Sequence, residues 1–206
     1  IVWRYDAESF LREKYGFCYR GKSVQFWDYC YDDFAIHVSN QGDVLKLCCI
    51  DSGAECLMPP DDERLCKAGI KRYANIRDIL ARLGNREDCT FSLFVSRVSN
   101  ETEEILKQIR KQYKNFEYHI GYSPKRLIQC VSEQDYGCEF IMSGRIPSDE
   151  ECINKGYLRM PGTYEVSATN RYFDYINAGI PVVSDGGKRQ CDYLKEFGVL
   201  VNMTLD

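Results

Sequence analysis

Residues 170–185 read NRYFDYINAGIPVVSD, and this stretch decides the fold. Ser167, Thr169 and Asn170 can each cap the orphan N–H groups that open a helix. Gly179 can take the left-handed conformation that closes one, and Pro181 forbids its continuation. Ile180, Val182 and Val183 then form an apolar, β-branched run without alternation, the pattern of a strand covered on both faces in a parallel sheet. A helix that runs directly into a buried strand is half of a βαβ unit.

The same grammar extends upstream. Residues 116–121 (FEYHIG) read as a strand ending in glycine, and Ser123-Pro124-Lys125 opens a helix predicted to run through Gln134. Asp135-Tyr136-Gly137 leads into a strand over residues 138–142, while residues 89–96 (CTFSLFVS) form an earlier apolar strand. Residues 101–113 (ETEEILKQIRKQY) place apolar or long side chains at helical spacing behind an acidic first turn. This succession predicts an α/β fold with a Rossmann-like, doubly wound parallel sheet. The amino-terminal part carries a strand over residues 34–38, a helix or second strand over residues 43–50, and an extended connection over residues 55–64 with its paired prolines.

Local chemistry singles out the start of the late helix. Its free N–H groups and positive dipole end attract phosphate, and Arg171 adds a bidentate cation. Asp174 lies three residues further on the same face, where a carboxylate can accept hydrogen bonds from ribose hydroxyls. The plainer alternative makes Asn170 a cap and Asp174 a partner for Arg171.

At these residues the chain resembles the GT-B glycosyltransferases, whose donor-site helix reads roughly N-K-x-x-E-Y-x-A-A-G-x-P-V-V. Asn170, Tyr175, Ala178, Gly179, Pro181, Val182 and Val183 match. Arg171 stands in place of lysine, Asp174 in place of the ribose-binding glutamate, and Asn177 in place of a small residue. The strand ending in Gly121, the helix after it and the Asp135-Tyr136-Gly137 strand entry follow the family's order. The resemblance spans roughly residues 60–206.

The resemblance implies a GT-B donor-binding lobe that transfers a sugar from a nucleotide-sugar such as a UDP-sugar to an acceptor hydroxyl, on a sugar, lipid or protein, without a metal or other cofactor. Asn170 and Arg171 would hold phosphate and Asp174 the ribose. Tyr122 and Ser123 would meet the base, although Ser123 also suits an N-cap with Pro124 at the first helical position. Lys71 and Arg72 stand near the place of the family's donor-phosphate basic pair, and Glu165 is the nearest counterpart of its first acidic residue. Residues 1–58 are then the tail of a preceding lobe or an extension, and 59–206 the nucleotide-sugar-binding domain. A two-lobe enzyme needs roughly twice a ~150-residue domain, so the acceptor lobe is expected elsewhere. A non-catalytic nucleotide- or partner-binding lobe and a nucleotide-sugar epimerase are the alternatives. Arg97, at the end of a strand, either faces the ligand or is solvated.

Composition bounds the rest. The 206 residues, 44% of apolar types, suffice for one domain or a domain and a fragment. Net charge is −4 and the basic residues are scattered among acids, which argues against a nucleic-acid surface. No stretch is long enough to span a bilayer. The 11 cysteines are odd in number and lack a C-x-x-C pair, so reduced, buried thiols in a cytoplasmic protein are expected. With only His37 and His119, a histidine-rich metal site is not expected, and His119 is expected to pack within its strand.

Overall fold

The computed structural model of the chain describes residues 2–4, 12–13, 16, 24–26, 42–52, 57, 76–139, 150, 154, 170–184, 195 and 200–202. Its strands are β1 (Val2–Arg4), β2 (Val24–Phe26), β3 (Leu45–Asp51), β4 (Cys89–Val95), β5 (Phe116–Ile120), β6 (Tyr136–Glu139), β7 (Val182–Ser184) and β8 (Leu200–Asn202). Among the described residues the helices of at least one full turn are α1 (Ile76–Leu83), α2 (Asn100–Gln112), α3 (Pro124–Val131) and α4 (Asn170–Asn177). The expected strand at 34–38, residues 140–142 of the expected 138–142 strand and all of the 55–64 connection except Leu57 lie outside the described residues.

Strands β3 to β8 form one six-stranded, all-parallel sheet in the order β5-β4-β3-β6-β7-β8. Counted from β3 this is 3-2-1-4-5-6, the doubly wound Rossmann order. β1 and β2 make a separate parallel pair. Residues 43–50, open between helix and strand in the sequence, become the sheet's central strand. Residues 45–51, which lie before the expected division after residue 58, pair with strands on both sides, β4 and β6. LKLCCID carries apolar side chains toward both faces, as a central parallel strand requires.

Each strand feeds two cores by its two-residue alternation. Cys48, Ile50, Phe94 and Val182 point to the face covered by α3 and α4, where Ile128, Val131, Tyr172 and Tyr175 pack. Phe91, Leu93, Val95, Cys138 and Val183 point to the other face, covered by Ile76 and Leu80 of α1 and by Leu106 and Ile109 of α2.

The helix ends follow their capping chemistry. Ser99 caps α2 by accepting from the Thr102 N–H, and Ser123 caps α3 by accepting from the Arg126 N–H, with Pro124 in the first turn. α3 stops at Val131, three residues short of the sequence expectation, as the Ser132 N–H closes on the Ile128 carbonyl. α4 ends in a Schellman motif: Ile180 N–H donates to Tyr175 O at 3.1 Å and Gly179 N–H to Ile176 O at 3.0 Å, with Gly179 at φ 71°.

The junction of β3 and β6, where the strand order reverses, is tied at both ends. At its base the Asp135 carboxylate accepts from the Lys46 N–H at 2.7 Å, and the Asp135 N–H donates to the Lys46 carbonyl at 2.8 Å. Regular pairing covers only Leu47 with Tyr136 and Cys48 with Gly137. Beyond it a phenol enters the ladder: Ile50 N–H donates to the Tyr175 hydroxyl at 2.9 Å, and that hydroxyl donates to the Cys138 carbonyl at 3.3 Å. The ring reaches the strands because residue 137 is glycine; a Cβ there would sit well within 3.0 Å of the Tyr175 ring carbons.

Tyr175→Phe removes the bridge and leaves a buried donor and acceptor facing an apolar edge, so chemical denaturation should show a loss of about 1–3 kcal/mol. Gly137→Ala should cost at least about 1–3 kcal/mol by overpacking, and Gly137→Ala combined with Tyr175→Leu should lose less than the sum of the two single changes.

Candidate functional site

The carboxyl ends of β3, β4 and β5 open into a cavity of about 520 Å³, within the size range of small-molecule sites. α3 contributes Leu127 to its wall and α4 contributes Arg171 and Asp174. Open α/β sheets hold ligands at this edge, beside the point where the strand order reverses.

Two carboxylates stand at that point. Asp51 ends β3 and Glu139 ends β6, and each has only 3% of its side chain exposed. Arg171, in the first turn of α4, reaches between them. Its Nη2 lies 3.2 Å from Asp51 Oδ1 and its Nη1 lies 3.0 Å from Glu139 Oε1. Burial works against the guanidinium's charge, but Glu139 and Asp51 outweigh it and hold the arginine more firmly protonated than usual. One cation thus bridges the two strands that part at the crevice.

Asp174 lies one turn further along α4, faces the cavity and accepts no side-chain hydrogen bond among the described residues. Burial raises its carboxyl from an ordinary 3.8 to about 6, with Arg171 pulling in the opposite direction. A carboxylate held in this way near an opening suits donors brought by a ligand.

The far wall is aromatic. Phe94 of β4 stacks on His119 of β5 with ring centroids 4.7 Å apart and planes 19° apart. Tyr122, just after the turn at Gly121, lies 5.5 Å from the His119 ring and shares a 3.1 Å hydrogen bond between its hydroxyl and His119 Nδ1. Burial lowers the His119 pKa, with Glu117 opposing, so the imidazole is neutral near pH 7. The Arg126 guanidinium lies 5.9 Å from the Tyr122 ring centroid.

The structure brings Arg171, Asp174 and Tyr122 together around one cavity. Ser123 is exposed and serves as the α3 cap, outside the cavity lining. Asn170 opens α4, but its side chain lies outside the described residues, as do Lys71, Arg72 and Glu165. Arg97 is exposed and does not line the cavity. His119 both packs against Phe94 and borders the cavity. Asp51 and Phe94 were not singled out from sequence, and Glu139 had no role. A charged residue that ends an apolar strand, as in LKLCCI-Asp51, was the available signal. Its pairing with a residue 120 positions later was not.

Among the described residues no His/Cys/Asp/Glu cluster of three is placed to hold a metal. In the same residues no helix is long and apolar enough to cross a membrane. Cys48, Cys49, Cys89, Cys130 and Cys138 are free thiols.

The fold and cavity define an α/β chain with a Rossmann-like sheet and a candidate ligand site at its switch point. No protein-family model matches the chain, and no curated protein matches it. Among solved structures it is similar to the glycosyltransferase GlyE of Streptococcus pneumoniae TIGR4, at 12% sequence identity and a TM-score of 0.33. That match covers 72% of this chain and 28% of the other. The assignment of fold rests on the strand order and on the two-faced core.

Two outcomes test the electrostatics. Arg171→Met leaves Asp51 and Glu139 buried without their shared cation and should cost about 3–5 kcal/mol in denaturant unfolding, partly restored by adding Glu139→Gln. Asp174 binds its proton more tightly folded than unfolded, so it lowers stability as pH rises from about 4 to about 6, and the cost stays constant above that. Asp174→Asn should therefore raise Tm at pH 8, by about 2–4 °C for each kcal/mol removed, with the gain vanishing near pH 4.

Proposed function

We propose that the chain is the donor-binding lobe of a nucleotide-sugar-dependent glycosyltransferase of the GT-B kind. The observation that carries this reading is the pairing, across one cavity at the carboxyl edge of a 3-2-1-4-5-6 sheet, of an aromatic wall with the carboxylate of Asp174, which accepts no side-chain hydrogen bond among the described residues. A base stacks on a π face and a ribose diol donates to a carboxylate, so the two features together suit a nucleoside. The match of the segment from Asn170 to Val183 with the GT-B donor helix supports the same reading.

In this arrangement the base lies against Tyr122 and His119, the ribose hydroxyls donate to Asp174, and the diphosphate leaves the cavity toward the amino end of α4. There the helix dipole would favour the departing diphosphate without a metal. Arg171 bridges Asp51 and Glu139 and so ties the two strand ends to the helix. An acceptor hydroxyl, on a sugar, lipid or protein, would attack the anomeric carbon from the side of a second lobe, and Glu165 remains the candidate acid from the family pattern.

Calorimetric titration with UDP, GDP and their sugars tests the reading. Saturable binding that weakens at least about tenfold in Asp174→Ala and in Tyr122→Ala is expected. Because the ionised carboxylate is the better acceptor, affinity should also rise as pH increases from 5 to 7 through the Asp174 pKa of about 6. Absence of binding by any nucleotide would leave a partner-binding lobe of the same fold.

A further inference from the structure

Helix α4 is fastened to the sheet at two points one turn apart, and each fastening reaches the same two strands. At Tyr175 the hydroxyl accepts from the Ile50 N–H of β3 at 2.9 Å and donates to the Cys138 carbonyl of β6 at 3.3 Å. At Arg171 the guanidinium donates to the next residue along each strand, Asp51 at 3.2 Å and Glu139 at 3.0 Å. Residues four apart lie on one face of a helix, so both fastenings act on the same side of α4. A helix held at a single point can still roll or lift; one held at both cannot do either without breaking a contact to β3 or β6.

Asp174 lies between the two fastenings and lines the cavity. One residue turns a helix by roughly 100°, so Asp174 points away from the Tyr175 side chain while sharing its rigid backbone. A hydrogen-bonding contact to a ligand tolerates only about 0.5 Å and 10–20° of misplacement. The direction of the Asp174 carboxylate is therefore set by whatever fixes the roll of α4. Arg171 also favours the ionised form of Asp174 against the effect of burial.

We infer that Arg171 and Tyr175 are positioning residues for Asp174: they hold α4 so that its carboxylate meets the ribose hydroxyls of the donor, and Arg171 acts on the ligand through Asp174. The inference rests on the donor-site reading and deepens it. It departs from the phosphate contact that the family resemblance implies for Arg171, and lysine separates the two roles. An ammonium keeps the charge a phosphate needs but is a point donor, without the planar fork that lets one side chain tie β3 to β6.

Calorimetry on the chain with uridine, guanosine and their diphosphates decides this. For whichever base binds, Arg171→Lys should weaken nucleoside and diphosphate in the same proportion, by about three- to tenfold. In an Asp174→Ala background the same substitution should change either Kd by less than about twofold, because its effect passes through the carboxylate. Tyr175→Phe should give the same pattern, and it carries the test should circular dichroism show that Arg171→Lys does not fold. If Arg171→Lys leaves the nucleoside within about twofold of the parent and weakens only the diphosphate, or if its full effect persists without Asp174, the inference fails while the donor-site reading stands. If the parent binds neither nucleoside nor diphosphate, the donor-site reading fails and the inference falls with it.

Discussion

One hydroxyl group controls the geometry on which the site depends. In a continuous parallel ladder the N–H of Ile50 would reach the carbonyl of Cys138 directly; here the phenol of Tyr175 stands between them. The bridge keeps both backbone groups satisfied while the strands separate, which is what a buried sheet junction demands. The separation also sets Asp51 and Glu139 at a distance that one guanidinium can span. Because Tyr175 and Arg171 belong to the same short helix, the widening of the crevice and the bridging of its acids are coupled through α4. Gly137 is the complementary half of this device, since any side chain there would displace the ring.

The electrostatic pattern follows from that geometry. Asp51 and Glu139 are tolerated at 3% exposure because a cation lies between them, and replacement of either partner alone leaves charge stranded in a medium that solvates it poorly. Asp174 accepts no side-chain hydrogen bond among the described residues, and the pull of Arg171 does not offset its burial. Its ionisation costs stability and its oxygens are open to donors from a ligand, a combination typical of ligand contacts.

Much of this was legible in the chain. The apolar runs at 89–95 and 182–183 declared buried strands, residues 116–120 read as a strand ending in glycine, Gly121 and Gly179 fell at positive φ, and Arg171 and Asp174, singled out by their helix-start chemistry, both line the cavity. What the sequence hid was nonlocal. LKLCCID has no strict alternation because it is covered on both faces, so its period could not separate strand from helix, and its place in the middle of the sheet depends on partners far along the chain. The contact of Arg171 with Asp51 and the entry of Tyr175 into the ladder are likewise products of topology. The plainer sequence alternative for Arg171, a salt-bridge partner, was partly realised, but with Asp51 and Glu139 in place of Asp174.

The clamp between Lys46 and Asp135 joins positions 89 residues apart, whereas β3, β4 and β5 follow one another with single crossovers. Loop closure therefore favours early assembly of the β3-β4-β5 half, with β6 and the strands beyond it docking afterwards. The switch-point crevice lies on the seam between these halves, so it exists only once the slower, long-range step is complete. A small molecule seated there would bind the finished sheet in preference to any half-built form, acting as a thermodynamic seal on maturation as well as a cargo.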